Sequence, residues 1–99
     1  MSVVWHPSAL DDLESLRTYI ARDDPGSAAV IAQRILDAVD TLAEFPQRGR
    51  LGRVADTREL VVSRTPYIVA YRLSKDNVEI LRVLHGAQRW PSQQAPPVG

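Results

Sequence analysis

The sequence predicts a two-layer α+β domain in which two N-terminal helices cover one face of an antiparallel sheet. Three observations support this. The chain has 99 residues, enough for one domain with one core. Apolar residues recur at steps of three and four in its first half, whereas runs of β-branched and aromatic residues fill the second half. The expected order is β-α-α-β-β-β, with residues 1–90 forming the domain.

The first elements are a short strand and an amphipathic helix. Residues 3–5 are β-prone and are followed by His6 and Pro7. Ser8 precedes Asp11 by three positions, a spacing typical of a capping box, so we predict a helix over residues 8–22. Its apolar positions have helical spacing: Leu10, Leu13, Leu16 and Ile20.

The second helix has the clearer pattern and is predicted over residues 25–45. Asp24 suits the N-cap, and Pro25 suits the first helical position, where an N–H would lack a partner in any case. Pro46 ends the helix. Because almost no linker separates the helices, they should form an antiparallel hairpin. Its apolar positions are Ala28, Ile31, Ile35, Val39, Leu42 and Phe45.

The second half predicts an exposed loop over residues 47–56 and then strands over residues 58–63, 67–73 and 78–85. Residues 74–77 are a hairpin connection, so the last two strands should pair antiparallel. The last strand is almost wholly apolar and should lie centrally, where Arg82 would need a partner. Residues 91–99 contain three prolines and are expected to be disordered. The expected buried residues are Ile31, Ile35, Leu42, Leu81 and Val83.

Composition excludes several classes of function. The chain has no cysteine, which excludes thiolate catalysis and cysteine-ligated zinc. No His, Asp and Glu cluster has metal-ligand spacing, and no glycine-rich phosphate loop follows a strand. We therefore expect neither a metal nor a cofactor. No apolar run approaches the roughly 20 residues that span a bilayer, and no signal peptide is evident, so we expect a cytoplasmic protein without membrane contact.

Charge is balanced overall but divided along the chain. Residues 1–47 have eight carboxylates and three arginines, a net −5, whereas residues 48–99 have nine basic and four acidic side chains, a net +5. This division is typical of a surface that faces a polyanion or a protein partner. The alternative is that acidic residues merely cluster near helix starts and on solvent-exposed faces. The arginines with interleaved aromatics suit nucleic-acid contact. Zero net charge instead favours Tyr67 and Tyr71 as a packed strand pair beside solvated arginines. The arginines are Arg48, Arg50, Arg53, Arg58, Arg64, Arg72, Arg82 and Arg89.

His85 is the candidate for general acid–base chemistry, because it ends the last strand and histidine titrates near neutral pH. The alternative is a strand-end histidine that hydrogen-bonds a carbonyl. The sequence favours this second reading, because no second catalytic group can be named beside His85.

Several segments together resemble the RelE/ParE toxin superfamily over residues 3–91. They are Trp-His-Pro-Ser-Ala at 5–9, Phe-Pro at 45–46, Gly-Arg at 49–50, Arg-Glu-Leu at 58–60, Pro-Tyr-Ile-Val-Ala-Tyr-Arg at 66–72 and Asn-Val-Glu-Ile-Leu-Arg-Val-Leu-His-Gly at 77–86. The resemblance implies a toxin of a type II toxin–antitoxin, or plasmid stabilisation, module that arrests growth. It also implies neutralisation by a cognate antitoxin, which we expect to contact the arginine-bearing half with an acidic segment, by helix-in-groove or strand-addition contact.

The superfamily has two activities. RelE-like members cleave mRNA on the ribosome, and in that case the resemblance implies roles for His85 and Arg82. Such members typically have arginine directly after the aromatic residue that matches Tyr67, whereas this chain has Ile68. They often have basic residues after the glycine that matches Gly86, whereas this chain has Ala87 and Gln88.

ParE-like members bind and poison DNA gyrase without hydrolytic chemistry. The departures from the RelE-like pattern and the zero net charge favour this branch, so we do not expect an enzyme. A ribosome-dependent endoribonuclease and an inert interaction domain of the same fold remain the alternatives. The candidate target-binding residues are Arg64, Arg72, His85, Arg89 and Trp90.

Overall fold

A computed structural model describes residues 1–88 and Trp90, and the predicted tail at 91–99 lies outside these residues. A short strand is followed by two helices and four more strands. The bounds are β1 Ser2–Trp5, α1 Pro7–Ala21, α2 Pro25–Glu44, β2 Arg50–Leu51, β3 Arg58–Val61, β4 Tyr67–Leu73 and β5 Asn77–His85.

The sheet has five strands in the order β1-β5-β4-β3-β2. Strands β2 to β5 pair antiparallel, which confirms the hairpin at residues 74–77, and β5 lies inside the sheet as predicted. Strand β1 pairs parallel with β5, so the sheet is mixed rather than wholly antiparallel. The predicted α+β class and helical hairpin are confirmed. The parallel pair arises because the helices and three further strands lie between β1 and β5 in the chain, a connection long enough to cross over.

The predicted loop at 47–56 contains one strand that the sequence pattern did not indicate. Arg50 pairs with Glu59, and Leu51 pairs with Arg58. Two residues are too few to show alternation of apolar and polar side chains, so only pairing with β3 identifies β2.

The predicted N-cap is confirmed for α2 but not for α1. Asp24 is the N-cap of α2, and its side chain accepts hydrogen bonds from the Ser27 backbone N–H at 3.1 Å and hydroxyl at 2.7 Å, as predicted. The capping box at Ser8 was wrong, because α1 begins at Pro7 with His6 as its N-cap and no side-chain cap bond. Proline suits the first helical position, so the helix starts one residue before the predicted boundary. Within the part of the chain described, neither helix is long and apolar enough to cross a membrane.

The main core lies between the helices and the sheet. Ile35, Leu42 and Val83 are buried in it, as predicted. Ile31 is only partly buried because it packs at the margin of this core. Leu81 is also only partly buried, because it occupies an irregularity in β5 that is described below. A smaller cluster on the opposite, outer face of the sheet contains Ile68, Ala70 and Leu84.

Candidate target-binding surface

A β-bulge in β5 determines which side chains reach the outer face. Tyr71 pairs with Ile80, but the preceding Ala70 pairs with Arg82, so Leu81 is an extra residue. Ile80 packs on the helix side, and without the bulge Arg82 would point the same way. The extra residue reverses the alternation, so that Arg82 shares the outer face with its partner Ala70.

Asp12 of α1 holds Arg82 at the edge of β5. The Arg82 Nε donates to Asp12 Oδ2 at 2.7 Å, and Nη2 donates to Oδ1 at 3.0 Å. The Val83 backbone N–H also donates to Asp12 Oδ2 at 2.9 Å. Strand β1 ends where Trp5 pairs with Ile80, so Asp12 covers an edge that no strand covers. The hydrogen bonds with Asp12 raise the pKa of Arg82 further, although partial burial opposes this.

Trp90 completes an apolar and cationic patch on the outer face. Its ring packs against Ile68, Ala70 and Leu84, and its centroid lies 6.0 Å from the Arg82 Cζ, at the outer limit for a cation–π contact. The indole Nε1–H is buried without a hydrogen-bond partner among residues 1–88. We call this surface, Trp90 with Arg82, Ile68, Ala70 and Leu84, the Trp90 patch.

His85 faces the other side of the sheet. Its ring makes an edge-on contact with Tyr67 at 5.7 Å between centroids, on the helix side. The Ala87 backbone N–H donates to His85 Nδ1 at 3.2 Å, which places the hydrogen of the neutral ring on Nε2. Its ring is therefore bonded to a backbone N–H rather than to the carbonyl that the sequence suggested.

The arginines predicted to bind the target do not lie together with Arg82 in one site. Arg72 lies at the far end of β4, where its Nη2 donates to Glu79 Oε1 at 2.6 Å. Arg64 lies in the β3–β4 turn with a φ of 62°, and its carbonyl accepts a bond from Arg34. Arg89 lies outside the described residues. The continuous basic face considered from sequence is therefore not formed by the described arginines.

Tyr67 and Tyr71 pack on the helix side of the sheet rather than forming a stacking platform for bases. Tyr71 is fully buried, and its hydroxyl donates to the Pro46 carbonyl at 2.8 Å and accepts from the Gly49 N–H at 2.8 Å. A Cβ at Gly49 would approach the Tyr71 ring to 2.7 Å, so glycine is required by this close approach.

Two carboxylates that the sequence did not single out organise the surface. Asp12 resembles the other acids on the polar face of α1, and Glu59 is only 2% exposed within β3. Glu59 accepts three hydrogen bonds from Arg53 at 3.1 Å, one of them from the backbone, and one from Arg50 at 3.3 Å. Burial would raise the pKa of Glu59, but these donors lower it below its ordinary value. Across residues 1–88 and Trp90, no three His, Asp or Glu side chains are grouped to hold a metal.

A model of the ParE toxin of the type II toxin–antitoxin system parDE matches residues 3–90, nearly all the part described above. The chain belongs to this ParE toxin family. The sheet with its N-terminal helical hairpin is accordingly the fold of a type II toxin, as the sequence resemblance implied. Membership of this family implies an antitoxin partner.

Curated relatives and solved structures agree with the family. A putative toxin, Y4kP, of Sinorhizobium fredii is 52% identical over 87 residues, which are 88% of this chain and 90% of the relative. Toxin RelE2 of Caulobacter vibrioides is 44% identical, over 87% of this chain and 96% of the relative. A structure of the chromosomal ParDE system from P. aeruginosa superposes with a TM-score of 0.77 at 27% identity, covering 86% of this chain and 95% of the other.

Proposed function

We propose that this toxin acts by binding DNA gyrase through the Trp90 patch and has no ribonuclease activity. The observation that carries the proposal is the separation of Arg82 from His85. These are the two residues that a ribonuclease would need, and they point to opposite faces of the sheet.

Phosphate cleavage requires an acid–base group and a charge-stabilising cation around the same phosphate. His85 is turned toward Tyr67, and its Nδ1 accepts the Ala87 backbone N–H. Arg82 is already bonded through two nitrogens to Asp12. This arrangement favours a function that depends on surface contact.

The Trp90 patch has the composition of a protein-binding surface. Arginine and tryptophan supply a large share of binding energy at protein interfaces, especially where the surrounding groups exclude water. Here the tryptophan ring covers three apolar side chains, and the partly buried Asp12 contact orients the arginine. A partner docking on Trp90 would therefore meet a preorganised surface.

The test combines two assays on the same purified protein: supercoiling by DNA gyrase and cleavage of mRNA on the ribosome. Trp90→Ala should weaken gyrase inhibition about tenfold or more, the effect typical of an interface anchor. His85→Ala should change it only slightly. Lys75→Ala is the control, because Lys75 is exposed in the turn between β4 and β5.

Each alternative has its own outcome. Ribosome-dependent cleavage that His85→Ala abolishes, with supercoiling unaffected, would replace the gyrase proposal by a ribonuclease. Induced expression without an antitoxin should arrest growth. Unimpaired growth together with no effect in either assay would favour an inert interaction domain of the same fold.

The partner antitoxin is proposed to add an extended acidic segment along the free edge of β3. The Val62 N–H donates to the Tyr67 carbonyl at 3.0 Å, so the neighbouring Val61 directs its N–H and carbonyl away from β4. Strand β2 reaches only as far as Glu59, and Val61 is 55% exposed. A partner strand could therefore continue the sheet at this position.

Charge at this edge favours an acidic partner. A groove of about 330 Å³ separates β3 from α2, and Arg34, Arg48 and Arg64 contribute to its lining against the single carboxylate of Asp37. An extended segment paired with Val61 would place alternate side chains near these arginines.

Neutralisation in cells tests the edge directly. Val61→Pro removes the outward N–H at an edge where proline is tolerated, so toxicity should persist while rescue by the co-encoded antitoxin is lost. Val61→Thr keeps the N–H and the β-branched shape and should be rescued normally. Full rescue of Val61→Pro would exclude strand addition at β3.

A further inference from the structure

We infer that Asp12 is a positioning residue for the Trp90 patch. It orients Arg82 beside the indole ring, and it accepts the Val83 backbone N–H at the edge of β5. The inference rests on the proposed function of the patch. Asp12 itself is on α1, at the edge of the sheet and outside the apolar surface that Trp90 covers. It would act on the target only through Arg82 and Trp90.

The contacts of Asp12 join parts of the chain that are 70 residues apart. One carboxylate oxygen accepts from both the Arg82 Nε and the Val83 backbone N–H, and the other accepts from the Arg82 Nη2. Two bonds to one guanidinium fix its plane as well as its position. Asp12 therefore controls the direction in which Arg82 leaves the strand.

Loss of this carboxylate would release the arginine. The Asp12 and Arg82 side chains are 17% and 23% exposed, so an unpaired guanidinium would turn toward water. It would then leave the Trp90 ring, and the Val83 N–H would lose its acceptor. The indole would lose one of the neighbours that limit its movement on the outer face.

Asp11 offers a matched control. It lies beside Asp12 on the same helix but is exposed, and no hydrogen bond or ion pair is formed by its side chain within the described part of the chain. Asp11→Asn and Asp12→Asn remove the same charge from adjacent positions. Any difference between them reports the contacts of Asp12 and not the net charge.

The first measurement concerns Trp90 alone. In a Trp5→Phe background, Asp12→Asn should shift the Trp90 emission to longer wavelength and increase its quenching by acrylamide at least twofold, whereas Asp11→Asn should change neither. The indole N–H signal of Trp90 in an NMR spectrum gives the same information with Trp5 unchanged. Unaltered emission, quenching and indole signal in Asp12→Asn would overturn the inference.

The second measurement separates positioning from stability. At a temperature where circular dichroism shows both proteins fully folded, Asp12→Asn should weaken gyrase inhibition about fivefold, and Asp12→Glu should restore part of the loss. In a Trp90→Ala background, Asp12→Asn should cause no further loss of inhibition. An equal further loss there would indicate a structural role and refute positioning. If the unmodified toxin does not inhibit gyrase, the proposed function fails, and the Trp90 signals still decide the role of Asp12.

Discussion

Several buried polar groups in this protein are satisfied by specific partners, and arginine supplies some of these partners. Glu59 accepts four hydrogen bonds from Arg50 and Arg53, and the Tyr71 hydroxyl joins the Pro46 carbonyl to the Gly49 N–H. Such groups are costly to leave without partners. Several arginines that suggested a basic surface in the sequence are thus parts of the folded framework.

Glu59→Gln should lower the free energy of unfolding at pH 7 by about 2–3 kcal/mol, because charged acceptors in buried hydrogen bonds are strong. The lowered pKa of Glu59 in the folded state means that its contribution is present above the unfolded value of about 4.3 and is lost as the pH falls through the folded pKa. Urea unfolding at pH 7 and below pH 4 measures this. The loss should be smaller in acid, and Asp56→Asn, at an exposed position, should show neither effect.

Tyr71→Phe should destabilise the protein by about 1–3 kcal/mol, because the Pro46 carbonyl and the Gly49 N–H would each lose a partner inside the fold. Thermal unfolding followed by circular dichroism measures the change. Tyr19→Phe removes the same hydroxyl from a side chain that is 68% exposed and should leave the melting temperature unchanged. Equal effects of the two substitutions would contradict the role assigned to the Tyr71 hydroxyl.

Helix α2 follows directly from its sequence, whereas strand β5 does not. The apolar period of α2 corresponds to buried Ala28, Ile35 and Leu42. In β5 a simple alternation would place Ile80 and Arg82 on one face, but the bulge at Leu81 separates them. A bulge depends on how two strands pair, so the pattern of one strand does not reveal it.

Leu42→Ala should cost about 2–5 kcal/mol, because Leu42 is fully buried and its truncation would leave a cavity between α2 and the sheet. Leu36→Ala is the matched control on the same helix. Leu36 is 37% exposed, so less buried surface is lost and the effect should be clearly smaller. Denaturant unfolding of both variants gives the comparison, and similar losses would place Leu42 outside the filled core.

Folding neutralises part of the charge division along the chain. Asp12 from the acidic half pairs with Arg82 from the basic half, and other arginines are paired within their own half, as Arg72 is with Glu79. Among the described residues, the arginines that line the groove beside β3 form no ion pair with a carboxylate. Arg34 donates instead to the backbone carbonyl of Arg64. Part of the positive charge that no carboxylate pairs among the described residues therefore lies at the edge of β3.

The complex with the co-encoded antitoxin should melt at a higher temperature than the free toxin, because a ligand that binds only the folded state stabilises it. Its dissociation constant should rise several-fold between 50 and 500 mM salt, because attraction between exposed charges is increasingly screened as ionic strength rises. Arg48→Gln should reduce this salt dependence, and Lys75→Gln, far from the groove, should not. Thermal unfolding followed by circular dichroism compares the melting temperatures. Calorimetric titration at the two salt concentrations measures the dissociation constants of the unmodified toxin and both variants, and affinity independent of salt would contradict an acidic contact.

Sequence patterns alone were enough to predict the two helices, the three longer strands, the antiparallel hairpin and the toxin superfamily, because these depend on local periodicity, turn chemistry and ordered motifs. It also indicated that Arg82 would need a partner. The folded structure was needed to show that this partner is Asp12, that β1 pairs parallel with β5, and that Arg82 and His85 occupy opposite faces. These features depend on contacts between residues far apart in the chain and on one extra residue in a strand, and neither leaves a periodic signal in the sequence.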